Sequence, residues 1–135
     1  MKAKILVIED HPEVLNTMVF LLEREGCSVV AAQTGVQGME LARDGDFDLI
    51  TLDVDLPGIN GFEICRNLKQ DPVLRQMPVM FVSGRSCDKD INHGLALGAV
   101  DYITKPFDAM DFVSRILSCV KPGQPRHKIP PAKCP

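Results

Sequence analysis

Residues 48–61 read DLITLDVDLPGING, and the fold follows from this stretch. Leu49, Ile50 and Leu52 are apolar, Thr51 is β-branched, and neither Pro nor Gly interrupts them, so the segment predicts a buried strand. The strand ends on a carboxylate, Asp53. Pro57-Gly58 and Asn60-Gly61 follow, and these turn residues cannot continue a central strand. An acid ejected from the end of an apolar strand and held by a rigid loop is placed as a nucleophile or a metal ligand. Its chemistry depends on what the other elements deliver to it.

Outward from this strand, short apolar runs and amphipathic runs alternate. Residues 4–8, KILVI, are too short for a helix and predict a strand buried on both faces, ending in Glu9-Asp10. Pro12 opens a helix whose apolar positions recur to about Glu25, where Gly26 stops it. A strand at 28–32 follows, then a helix opened by a capping box of Thr34 and Gln37 and ended near Gly45. Beyond the central strand, 61–70 predicts a helix with Phe62, Cys65 and Leu68 on one face, broken by Asp71-Pro72. Residues 78–83 predict a strand ending in Ser83, and 88–98 a helix with Ile91, Leu95 and Gly98 inward. Residues 99–104 predict a fifth strand, ended by Lys105-Pro106, and Asp108 caps a last helix with Phe112, Val113, Ile116 and Val120 inward. Five such alternations predict an α/β fold with a parallel sheet covered on both faces. The fourth helix is expected to be the loosest, because Asn92, Gly94 and Gly98 fall within 88–98 and each Gly costs about 1 kcal/mol relative to Ala. On that footing Gly94→Ala should stiffen it.

The totals set limits on the function. A chain of 135 residues suits one domain with one core, and 45% hydrophobic with 24% charged residues marks an ordinary globular composition. A net charge of -3 offers no footprint for nucleic acid or an anionic membrane. No apolar run approaches the roughly 20 residues that cross a bilayer, and MKAKILVIED does not read as a signal peptide. Five scattered cysteines without CxxC spacing suit reduced thiols in a cytoplasmic protein. His11, His93 and His127 share no ligand spacing, so a metal role is not expected of them. Residues 121–135, rich in Pro and basic residues, read as a tail or linker start beyond a domain at 1–120.

In an open α/β sheet, ligands bind beyond the carboxyl ends of the strands. Glu9, Asp10, Asp53, Ser83 and Lys105 all lie at such ends. Carboxylates gathered at one edge repel each other, which a purely structural arrangement would avoid. Phosphoryl transfer suits them: Mg²⁺ held by Glu9, Asp10 and Asp53, Asp53 as nucleophile, and Lys105 and Ser83 on the phosphoryl oxygens.

Glu9-Asp10, LDVDLPG around Asp53, Ser83, and YITKPF with Tyr102 and Lys105 together resemble the receiver domain of two-component response regulators, from Lys4 to about Val120. The resemblance implies a flavodoxin-like doubly wound sheet of strand order 2-1-3-4-5 with five helices. It implies that a histidine kinase or phosphotransfer protein phosphorylates Asp53, with Mg²⁺ on Asp10, Asp53 and the backbone carbonyl of Asp55, and with Glu9 acting through water. Ser83 and Tyr102 would be the switch residues, and the fourth helix, fifth strand and fifth helix the face read by an output domain or protein. Homodimerisation on phosphorylation is also implied, and no enzymatic activity beyond the domain's own phosphorylation and dephosphorylation. Gly84 departs from the family, which usually has Ala there. Two rival functions are a phosphorylation-independent interaction module and an Asp-nucleophile phosphatase of the haloacid-dehalogenase type, suggested by the spacing of Asp53 and Asp55. The resemblance further leads us to expect a cis Lys105-Pro106 peptide, and Asp55 and Arg85 flanking the mouth of the site, where their opposite charges can pair.

Overall fold

A computed structural model describes residues 2–120; the tail at 121–135 lies outside them. The strands are β1 (Lys4–Ile8), β2 (Ser28–Ala32), β3 (Leu49–Leu52), β4 (Val79–Ser83) and β5 (Asp101–Thr104). The helices are α1 (Pro12–Arg24), α2 (Gly35–Asp44), α3 (Gly61–Gln70), α4 (Asp88–Ala96) and α5 (Ala109–Val120). All strand pairs are parallel and the order is β2-β1-β3-β4-β5, a doubly wound flavodoxin-like sheet.

Parallel strands need covering on both faces. Alternate residues of the strands therefore feed two cores. Leu6, Ile8, Ile50, Leu52 and Phe81 pack with α2, α3 and α4, whereas Ile5, Val7, Leu49, Met80 and Val82 pack with α1 and α5. Register sets the site: Ile8 pairs with Leu52, Leu52 with Phe81 and Ser83 with Thr104. The strand ends that carry acids, hydroxyl and lysine are thus level with one another.

Local chemistry starts most helices where the side chains indicate. Asn60 Oδ1 accepts from the Phe62 N–H at 2.7 Å and Asp108 Oδ2 from the Asp111 N–H at 2.8 Å. Thr34 Oγ1 accepts from the Gln37 N–H at 3.1 Å, but the Gln37 side chain reaches the N–H of Gln33 rather than that of Thr34, so the capping box is displaced by one residue.

Two expectations need correcting in the fourth helix. It ends at Ala96, and Gly98 is exposed at φ +108°, a left-handed residue that terminates the helix instead of packing inward. The following strand begins at Asp101, because Ala99 and Val100 complete the turn into it. Gly94 also changes its meaning. It is buried, and a Cβ there would meet the Phe81 ring at 3.0 Å and the Tyr102 ring at 3.1 Å. Overpacking against these rings costs about 1–3 kcal/mol, which offsets the ~1 kcal/mol that Ala adds to a helix. Contrary to a simple stiffening, Gly94→Ala should lower stability and push the Tyr102 ring outward. A denaturation midpoint at or above wild type would refute this.

Candidate functional site

The sheet's ladders run one residue past the strands and fix the site backbone. The Glu9 N–H donates to Ala32 O, the Asp53 N–H to Ile8 O and the Lys105 N–H to Ser83 O. The Lys105-Pro106 peptide is cis, as expected. Beyond β3, the loop returns so that the Gly61 N–H donates to Val54 O at 2.8 Å. No side chain fits at Gly61: a Cβ there would overlap the carbonyl oxygen of Asp53 and lie 2.8 Å from Val54 Cα. The first residue of α3 therefore presses directly on the backbone that presents Asp53, a role its reading as a turn residue did not reveal.

The sequence-predicted residues meet at this edge. Glu9, Asp53 and Ser83 are buried. Lys105 Nζ lies 2.7 Å from Glu9 Oε1 and 3.1 Å from Asp53 Oδ2, so one cation bridges two buried carboxylates. Burial pushes the Glu9 carboxyl up; the hydrogen bond from Lys105 pulls it back and the Asp53 charge adds to the rise, leaving it raised overall. Burial alone would lower Lys105, but its hydrogen bond to Glu9 and the attraction of Asp53 outweigh that and leave the ammonium raised.

Asp53 Oδ1 accepts from the Asp55 N–H at 3.3 Å. The Asp55 side chain turns outward to Arg85, whose Nε lies 3.0 and 3.1 Å from the two carboxylate oxygens and whose second terminal nitrogen lies 2.7 Å from Oδ1. This is the fork geometry that favours Arg over Lys. Arg85 ties three further groups together. Its N–H donates to Ser83 Oγ at 3.1 Å, its carbonyl accepts from the Tyr102 hydroxyl at 2.7 Å, and its guanidinium lies 3.8 Å from Asp90. Tyr102 is inward, and burial pushes its phenol up, so it stays a neutral donor.

The acids fit a divalent cation. Glu9, Asp10, His11 and Asp53 each place one donor atom within 4.8 Å of the others. Asp10 Oδ1 is buried yet accepts no hydrogen bond, which suits an oxygen ligand of a divalent cation. His11 belongs to this group although its sequence spacing gave no hint. The signal lay in adjacency to the acid pair, and its second half, Asp53, is far away in the chain.

Comparison with known proteins agrees with this geometry. The family model for the response regulator receiver domain matches residues 5–117. The chain is 36% identical over 120 residues to the uncharacterized transcriptional regulatory protein YkoG of Bacillus subtilis, and 37% identical over 120 residues to the transcriptional regulatory protein AfsQ1 of Streptomyces coelicolor. Each alignment covers 89% of this chain and 52% of the relative, so the chain spans about half the length of these curated relatives. Among solved structures, the BeF3-activated receiver domain of DrrB superposes with a TM-score of 0.80 at 30% identity, covering 90% of this chain and 99% of that one.

Proposed function

The chain belongs to the response regulator receiver domain family, and from that premise we propose that it is a phosphorylation-controlled switch whose acceptor is Asp53. The observation that carries this reading is Lys105 bridging Glu9 and Asp53 beside the orphaned Asp10 oxygen. An Asp53 carboxylate oxygen attacks the phosphorus of a phosphohistidine on a histidine kinase or phosphotransfer protein. The new O–P bond makes an acyl phosphate, the donor N–P bond breaks, and the imidazole nitrogen keeps the electron pair and takes up a proton. Asp10, Asp53 and the Asp55 carbonyl, with Glu9 acting through water, would hold Mg²⁺, which when bound supplies charge neutralisation to the transferred group. Lys105 holds Asp53 in place and faces the same oxygens.

The readout runs through Arg85. Turning the Ser83 hydroxyl to donate to a phosphoryl oxygen would draw it from the position in which it accepts from the Arg85 N–H, while the Tyr102 hydroxyl donates to the Arg85 carbonyl from β5. Moving Ser83 therefore moves the loop into α4, and α4, β5 and α5 form the face that an output domain, an effector or a second copy would read. The domain would act in the cytoplasm, where a kinase's phosphohistidine is presented; among the described residues no helix is long and apolar enough to cross a membrane. The outward Asp55, clamped by Arg85, speaks against the phosphatase reading, whose second acid must face the transferred group.

Incubation with acetyl phosphate and Mg²⁺ tests the acceptor: mass spectrometry should show one added phosphoryl group, absent in Asp53→Asn. An unmodified wild type would leave only the interaction module.

The Asp55–Arg85 pair covers the approach by which water hydrolyses the acyl phosphate. Both side chains are exposed, 57% and 44%, so the pair's worth lies in position rather than stability. Asp55→Asn and Arg85→Ala should each change the phosphoryl lifetime several-fold, and the double variant should show less than the combined effect. Effects on ln k that simply add would exclude a coupled gate.

A further inference from the structure

We propose that His11 is a nitrogen ligand of the cation site, so that this domain takes a first-row transition-metal ion such as Mn²⁺ or Co²⁺ through a mixed nitrogen and oxygen set. The inference rests on the reading above that the acidic cluster holds a divalent cation.

His11 Nδ1 lies 3.3 Å from Glu9 Oε2 and 3.3 Å from Asp10 Oδ1. Two donors about 2.1 Å from an octahedral ion and adjacent on it are about 3 Å apart, so this spacing suits neighbouring ligands. Charge-assisted hydrogen bonds run shorter, about 2.7–2.9 Å, and neither contact reaches that range.

The backbone aims the ring. The His11 N–H donates to Glu9 Oε2 at 3.2 Å, which folds the chain back over the acids. His11 is the N-cap of α1, with Pro12 next, yet its side chain makes no capping bond; Nδ1 instead lies against Glu9 Oε2. The ring is 67% exposed, so it can turn about its χ angles while Nδ1 stays beside the two acids.

Charge and softness agree. Three carboxylates, Glu9, Asp10 and Asp53, face one ammonium, Lys105, so a dication is favoured and a neutral imidazole does not reduce that attraction. Mg²⁺ prefers oxygen and gains little from imidazole, whereas Mn²⁺, Co²⁺ and Ni²⁺ gain from it in rising order of general affinity.

The test is calorimetric titration of the full chain with MgCl₂ and with CoCl₂, for wild type, His11→Ala and Asp10→Asn, with the visible spectrum of the Co²⁺ form. His11→Ala should weaken Co²⁺ by about tenfold or more and shift its d–d bands, while Mg²⁺ affinity stays within about twofold. Asp10→Asn should weaken both ions, which assigns the titrated site. Equal loss of both ions in His11→Ala would make His11 a structural residue and overturn the proposal, as would unchanged Co²⁺ binding. If wild type binds neither ion saturably, the cation reading itself falls with it; if Mg²⁺ binding survives alone, only the histidine ligand is lost.

Discussion

Lys105→Met should slow phosphorylation of Asp53, whose incoming oxygens it no longer neutralises, and lower folding stability by about 3 kcal/mol near neutral pH, because it strands Glu9 and Asp53 as adjacent buried carboxylates. The loss should depend on pH, with a sign that follows from Glu9. Its carboxyl is raised in the folded state above the ordinary 4.5, chiefly by burial. A raised carboxyl contributes stability below its unfolded value and loses it as pH rises through the folded value. In wild type the Lys105 ion pair restrains this loss; in the variant nothing does, so Glu9 rises further. Lys105 itself, raised above 10.5, stays charged throughout this range. Urea unfolding of metal-free wild type and Lys105→Met should therefore give curves that converge as pH falls toward 4.5 and separate as pH rises above it. A difference independent of pH would show that the ammonium's packing, not its charge, holds the site.

Gly61→Ala should disable the site without touching any reactive group. The added methyl would meet the Asp53 carbonyl and the Val54 backbone, and neither can recede as a side chain could. Overpacking of this kind costs about 1–3 kcal/mol, and here the relief must come from shifting the backbone that presents Asp53. A misplacement near 1 Å is enough to cost about a hundredfold in a positioned reaction, so the phosphorylation rate with acetyl phosphate should fall by at least about tenfold while the variant still folds. Gly84→Ala serves as the comparison. Nothing lies within 4 Å of where its methyl would sit and its φ is not left-handed, so it should phosphorylate as wild type does. Equal rates for Gly61→Ala and wild type would mean that the loop gives way without moving Asp53.

The sequence by itself determined the alternation of elements and the ends at which chemistry sits. Those features are local: apolar runs of strand length such as Lys4–Ile8 and Leu49–Leu52, helices opened by Asn60 or Asp108, and turns at Pro57-Gly58. Each is set by residues within one or two turns of chain. The family resemblance added the strand order, which local pattern does not encode, and the idea that Asp55 and Arg85 flank one entrance.

Only the tertiary structure decided what depends on distance across the sheet. The glycines show this most clearly. Gly61, Gly94 and Gly98 look alike as letters, yet one presses on the Asp53 backbone, one makes room for Phe81 and Tyr102, and one is an exposed left-handed helix end. Read as a helix breaker, Gly94 would weaken α4; set against its neighbours, it is what lets α4 lie on β4 and β5. His11 follows the same logic, since its partners Glu9 and Asp10 are adjacent but the site closes only with Asp53, brought level by the pairing of Ile8 with Leu52. Periodicity records which way a side chain faces, whereas packing and ligation depend on which atoms the parallel register brings within a few ångströms, and that is settled only when the strands align.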